Sequence, residues 1–330
     1  MQLGIMITNQ CTAFCSHCAT SSSPEDKSLL QQKRVYSLID EGNQLSKNQK
    51  RFSICFTGGE PFLYFDLLMK WVDYANKKKA IVSCVTNGFW ATSKKETRDK
   101  LSRLKNAGLS SIALSYDLFH SQYIPFDNIR RILIATQDYE IKIAIKNTIL
   151  KGSPRAGDIL KKVEDIIINR SISMDETLCL PLGRGKNISP DKFLYSEVFP
   201  QQKCRGIGVF TISAKGNLYP CCIPDWPDLL CLGNIYSKTL SELMAKARSS
   251  YLFSILRKEG PYYFVPFLQK AGFDLSKRYF INSCHLCNEI LKLCKRDKEA
   301  HKVLNNVLKK WREIREKERE TANIILSFYN

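Results

Sequence analysis

Along the first 185 residues, apolar positions gather into short bursts that alternate with stretches of helical spacing. Residues 2–8 form a compact apolar run, and 29–45 carry apolar positions three and four apart. The alternation continues with a strand at 52–57 ending at Gly58-Gly59, a helix at 65–75, and a strand at 80–86 stopping at Asn87-Gly88. A helix follows at 94–104 with Gly108 as terminator, then a strand at 111–115, a helix at 129–137, a strand at 141–150, a helix at 159–168 and a strand at 176–180. Period-2 or continuous apolar runs bounded by Gly and Asn read as strands, and 3.6-residue spacing reads as helix. Six strands separated by helices predict an α/β protein with parallel βα repeats, a partial (β/α)6 barrel. Sites in such sheets lie at the C-terminal ends of the strands. Cys11 follows the first strand, Gly58 the second, Asn87 the third and Asp117 the fourth, which predicts one shared active site.

Beyond residue 186 the pattern changes. Strands at 208–213 and 217–219 flank Lys215-Gly216, a hairpin turn. Helices are predicted at 239–248 and 251–258, and 300–330 reads as one charged surface helix. The expected division is a barrel at 1–185, a second cysteine-bearing domain at 186–300 and a charged helix at 301–330. No apolar run reaches the roughly 18–20 residues that span a bilayer. The start, MQLGIMITNQC, lacks a basic stretch and a small-residue cleavage site, so no signal peptide is expected. A cytoplasmic protein with no membrane partner is the expectation.

Charge and cysteine content sharpen this picture. Lys and Arg number 50 against 32 Asp and Glu, a net charge of +18. An anionic partner follows, whether nucleic acid, a membrane surface or an acidic peptide. Thirteen cysteines in a cytoplasmic chain point to metal binding or catalysis rather than disulfides. Cys55, Cys84 and Cys179 sit inside apolar runs and read as core residues. The other ten fall into an N-terminal and a C-terminal group. Cys11, Cys15 and Cys18 form C-x3-C-x2-C directly after the first strand. Iron–sulfur clusters usually take four cysteines, so three ligands leave one iron open to chemistry. Structural zinc wants four closed ligands, and His17 is too cramped between two cysteines to be the fourth. A cluster is therefore favoured over zinc.

CTAFCSHC at 11–18 resembles the signature of the radical S-adenosylmethionine (SAM) superfamily, and TGGEP at 57–61 resembles its second motif. The resemblance implies a [4Fe–4S] cluster on Cys11, Cys15 and Cys18 with S-adenosylmethionine on its open iron. It places His17 near the adenine, Gly58 and Gly59 at the methionine amino group, and Glu60 in support of the pocket. Ser115 and Asp117 in LSYD, with Asn147, are implied for the ribose and carboxylate, and Arg184 in PLGRG suits the carboxylate. The implied chemistry is one-electron cleavage of the cofactor to a 5′-deoxyadenosyl radical that removes hydrogen from substrate. A flavodoxin- or ferredoxin-type electron donor is then needed.

A turn at Gly216 would bring Cys204 back toward Cys221, and Cys284 with Cys287 adds C-x2-C. Four thiolates suit a closed auxiliary [4Fe–4S] cluster, with zinc on the same ligands as the alternative. The pattern C-x11-G-x4-C with a later C-x2-C resembles SPASM/twitch extensions. Cys231 and Cys294 are left over, so one auxiliary cluster is favoured and a second stays open. Cys222, beside Cys221, is either a buried structural thiol or a hydrogen donor. SICFTGGE at 53–60, TNGFW at 86–90, LSYDLFH at 114–120, NLYPCC at 217–222 and LRKEG at 256–260 resemble the YydG-type peptide epimerases. That resemblance implies a ribosomally made precursor peptide, converted from L- to D-residues, with Cys222 as the catalytic hydrogen donor. The charge suggests that this peptide is acidic or carries an acidic leader; nucleic acid is the disfavoured partner. A radical SAM cross-linking enzyme (cyclophane or thioether) is one alternative. A basic zinc-binding nucleic-acid protein is the alternative of another class.

Overall fold

The computed structural model describes residues 1–47, 51–167, 172–204, 206–222, 228–276 and 278–327. The chain forms two compact units: one of 1–194, 208–225 and 232–243, the other of 195–207, 226–231 and 244–330.

The first unit holds a single nine-stranded sheet. Its strands are β1 Gln2–Thr8, β2 Ser53–Gly58, β3 Ile81–Thr86, β4 Leu109–Ser115, β5 Lys142–Ile149, β6 Ser173–Leu178, β7 Val209–Ile212, β8 Asn217–Tyr219 and β9 Gly233–Asn234. The order is β6-β5-β4-β3-β2-β1-β7-β8-β9. Strands β1 to β6 pair in parallel in chain order, the arrangement the alternating pattern predicts. β7 extends the parallel set by pairing with β1, Leu3 opposite Phe210 and Ile5 opposite Ile212. Only then does the sheet turn antiparallel, through β8 and β9.

β1 is buried along six of its seven positions, as a strand covered on both faces must be. The crossover helices bury one stripe each. In Phe65–Lys77 the buried residues are Leu68, Trp71, Val72 and Ala75, spaced three, one and three apart, and Trp71 stacks on Phe56 of β2 at 6.3 Å. Helix Lys94–Asn106 starts where expected because Ser93 caps it, accepting from the Glu96 N–H at 3.2 Å.

Two boundaries differ from the pattern for physical reasons. The helix expected at 159–168 is two short pieces, Ala156–Lys161 and Glu164–Ile167, and residue 168 lies outside the described residues. It starts early because Asp158 accepts from the Arg155 N–H at 2.8 Å, a cap hidden in a stretch rich in turn residues. β6 begins at Ser173 because it is an edge strand of alternating exposed and half-buried residues, too polar to read as a strand.

In the second unit, helices Tyr251–Lys258, Val265–Lys270, Ser283–Arg296 and Lys298–Ser327 pack together. The charged last helix buries one face, Ala300, Leu304, Val307 and Trp311. Trp311 meets the Tyr263 ring edge-on at 5.2 Å and donates to the Ser254 hydroxyl at 3.1 Å. The expected helix at 300–330 thus begins at Lys298; residues 328–330 lie outside the described residues. No helix among the described residues is long and apolar enough to cross a membrane.

Candidate active site

The loop after β1 carries Cys11, Cys15 and Cys18 and is held down from three sides. Beneath it, the end of β2 approaches closely: the Gly59 N–H donates to the Thr8 carbonyl and the Glu60 N–H to the Gln10 carbonyl, both at 2.8 Å. A Cβ on Gly58 would lie 2.4 Å from the Thr8 oxygen, and one on Gly59 2.2 Å from the Gln10 oxygen. Glycine is required at both places by this backbone crossing. From the end of β6, the Arg184 N–H donates to the Cys18 carbonyl at 3.0 Å and its Nε to the Cys15 carbonyl at 2.9 Å. From the end of β4, the Phe119 carbonyl accepts from the Cys15 thiol at 3.7 Å.

The thiols sit within electrostatic reach of one another. Burial pushes Cys11 and Cys15 up to about 12 from an ordinary 9.0, and neighbouring thiols add to the shift. Asn87, at the end of β3, donates to the Cys11 sulfur at 3.8 Å and the Thr12 hydroxyl at 3.2 Å.

Two buried carboxylates brace the strand ends. Glu60 is fully buried and accepts from the Phe62 N–H at 3.0 Å, the Thr86 hydroxyl at 2.8 Å and the Asn87 N–H at 2.7 Å. Burial still pushes it up to about 7. Asp117 accepts at one oxygen from the Phe119 and His120 N–H groups at 2.9 Å and contacts His120 Nδ1 at 2.8 Å. Its other oxygen accepts from the Thr148 N–H at 3.3 Å and faces His17 Nε2 at 3.6 Å. Burial alone would raise Asp117, yet His120 and these contacts hold it below its usual value. His17 stacks on Phe119 at 4.3 Å, and burial brings its pKa down to about 4, so the ring is neutral.

Among the described residues, four buried side-chain atoms lack a hydrogen-bond partner: His17 Nδ1, Asn147 Oδ1, Arg184 Nη2 and Trp71 Nε1. Three of the four belong to residues that the sequence assigns to the cofactor. Buried polar groups are normally satisfied, so the set fits a polar ligand. Ser115 stands at the end of β4 in register with Lys146 of β5, one position before Asn147. His120 was not anticipated as part of this cluster; its spacing of three from Asp117 in LSYDLFH is too common in loops to single it out.

The second cysteine group divides between the units. In the first, Gly216 takes a left-handed φ of +84°, closing the β7–β8 turn that leads to Cys221 and Cys222. Cys221 is buried and Cys222 exposed. In the second, Cys284 and Cys287 lie in the first turns of Ser283–Arg296, three residues apart on one helix face. Asn282 caps that helix, accepting from the Cys284 and His285 N–H groups at 3.0 Å. The Ser283 hydroxyl donates to Gln202 at 2.8 Å, and the Cys204 N–H to the Leu256 carbonyl at 3.0 Å, fixing the segment that bears Cys204.

The Radical SAM superfamily model matches residues 5–152, and the iron–sulfur cluster-binding SPASM model matches residues 204–288. The chain therefore carries a Radical SAM domain and, after it, a SPASM domain. Its cofactors are accordingly a [4Fe–4S] cluster, S-adenosylmethionine and auxiliary iron–sulfur. It is similar to YydG of Bacillus subtilis (strain 168), a protein named for peptide biosynthesis, at 26% identity over 296 residues, 87% of this chain and 91% of that one. Native anSMEcpe with bound AdoMet shares the fold at TM-score 0.55 and 16% identity, covering 93% of this chain and 99% of that one. BtrN in complex with AdoMet and 2-DOIA does so at TM-score 0.50 and 16% identity, covering 79% and 89%.

Proposed function

We propose that this radical SAM enzyme converts L-residues to D-residues in a ribosomally made peptide, with Cys222 returning the hydrogen. The observation that carries this reading is the exposed Cys222 next to the buried Cys221 in NLYPCC. The likeness to YydG supports a peptide substrate.

Cys11, Cys15 and Cys18 would hold the reducing cluster, which with S-adenosylmethionine supplies a 5′-deoxyadenosyl radical that removes a Cα hydrogen. The neutral His17 ring would lie against the adenine, and Gly58, Gly59 and Glu60 would form the floor under the methionine end. The unpartnered Arg184 Nη2 would pair with the carboxylate, and Ser115, Asp117 and Asn147 would border the ribose. Cys204, Cys221, Cys284 and Cys287 would take the auxiliary cluster.

Cys222 then gives its S–H hydrogen to the peptide Cα from the opposite face. The S–H bond breaks, the Cα–H bond forms with inverted configuration, and the sulfur is restored by one electron and one proton. Both derive from a flavodoxin- or ferredoxin-type donor and from water. Residues 1–185 would carry the radical chemistry and 186–297 the auxiliary-cluster cysteines, followed by the charged helix Lys298–Ser327. The setting is the cytoplasm, where such a donor and a reduced thiol coexist.

The test is turnover in D2O of the precursor peptide from a neighbouring small reading frame. A thiol exchanges its proton with solvent, so the product should gain about one mass unit at an epimerised Cα. A product lighter by about two units would mean that two hydrogens had left as a cross-link formed.

A further inference from the structure

Among the described residues, nine large apolar side chains are exposed, and three of them gather around the N-terminal cysteine loop. Phe14 is 49% exposed, Leu118 41% and Tyr123 43%. Their positions are tied to one another. The Tyr123 hydroxyl donates to the Phe14 carbonyl at 3.1 Å, and the Arg184 guanidinium lies over the Phe14 ring at 3.9 Å. Phe14 immediately precedes Cys15, whose thiol donates to the carbonyl of Phe119, the neighbour of Leu118. An aromatic ring pinned in place but open to water costs hydration without helping the core, and isolated exposed apolar residues need no explanation where a tied group does.

Within 11–22, 118–124 and 183–187 there is no carboxylate, and the fixed charges are those of Arg184 and Lys186. Lys186 is exposed. An apolar centre with a cationic rim fits a partner that is acidic around a small apolar contact. A few side chains also suit the small interfaces of weak, transient redox encounters, under about 1,200 Å².

We propose that Phe14, Leu118 and Tyr123, rimmed by Lys186, dock an acidic one-electron carrier protein of the flavodoxin class. The carrier would lose one electron, and a cluster held by Cys11, Cys15 and Cys18 would gain it. Phe14 is the residue before Cys15, and Leu118 and Tyr123 flank the Phe119 carbonyl that accepts from the Cys15 thiol, which favours the electron carrier over the peptide as occupant. The proposal rests on the radical SAM assignment of that loop.

The experiment compares the wild type with Leu118→Ser/Tyr123→Ser and, separately, with Lys186→Glu. Calorimetric binding of a purified bacterial flavodoxin is the first readout. 5′-Deoxyadenosine formation driven by reduced flavodoxin or by dithionite, without peptide, is the second. The double variant should weaken flavodoxin binding about tenfold or more, as loss of central interface anchors does. It should slow flavodoxin-driven cleavage in proportion and leave dithionite-driven cleavage unchanged. Lys186→Glu should weaken binding severalfold at low salt and less at high salt. Unchanged flavodoxin binding in both variants overturns the proposal. So does an equal loss with flavodoxin and dithionite, or a loss of peptide binding alone, which would make the patch the peptide's. If the wild type forms no 5′-deoxyadenosine with dithionite, the radical assignment fails, while the binding arm still decides the docking surface.

Discussion

Cys11, Cys15 and Cys18 lie on one loop of one unit, whereas the later cysteines are shared out, Cys204, Cys284 and Cys287 in one compact unit and Cys221 with Cys222 in the other. The first group is a local device. Its spacing, the strand before it and the glycines under it are all set by residues close in sequence or on the adjacent strand. The second group depends on a tight turn at Gly216 and on a helix that begins at Ser283, elements far apart along the chain. A local site can be read from spacing; cysteines divided between two units cannot be joined by spacing alone.

The widest separation between the two groups should come from removing the first. Cys11→Ala/Cys15→Ala/Cys18→Ala should abolish 5′-deoxyadenosine formation, because no open iron remains. Cleavage at the wild-type rate would contradict the assignment. Cys284→Ala/Cys287→Ala should act differently. Iron in anaerobically purified protein should fall from about eight per chain to about four, with dithionite-driven cleavage retained. A colourless wild type containing zinc would remove both enzyme readings.

How much of this was legible follows the same division. The parallel repeats, the motif-bearing strand ends and the hairpin were visible because apolar alternation and glycine turns act locally. β6 was misplaced because an edge strand needs few apolar residues. Helix Ser283–Arg296 is not legible in the sequence because buried His285 and Asn288 interrupt its apolar stripe of Leu286, Ile290, Leu291 and Cys294. The partnership of His120 with Asp117 needed coordinates, since a spacing of three is common in any loop.

The site also contains two carboxylates of opposite behaviour, which sharpens the account of its rigid floor. Glu60 is pushed from an ordinary 4.5 up to about 7, while Asp117 is held low. For Glu60 the folded state binds the extra proton, so its contribution is full below about pH 4.5 and is lost as pH rises through about 7. Relative to the wild type, Glu60→Gln should gain about 3 kcal/mol of unfolding free energy across that window, measured by denaturant titration at several pH values. A difference that does not change with pH would mean that Glu60 does not titrate there.

The smallest expected effect concerns the surface. With a net charge of +18, binding of an acidic precursor peptide should weaken severalfold as salt rises, because exposed charges are screened over about 8–10 Å. Titration calorimetry at two ionic strengths checks this, and salt-independent binding of a neutral peptide would remove the electrostatic argument.

The central claim, that Cys222 returns the hydrogen, is tested most directly by Cys222→Ala turned over with the precursor peptide in D2O. The variant should keep its full iron content and still form 5′-deoxyadenosine, yet release no D-residue carrying solvent deuterium. Deuterated D-peptide from Cys222→Ala would contradict the claim and require another donor, and a loss of half the iron would make Cys222 a cluster ligand instead.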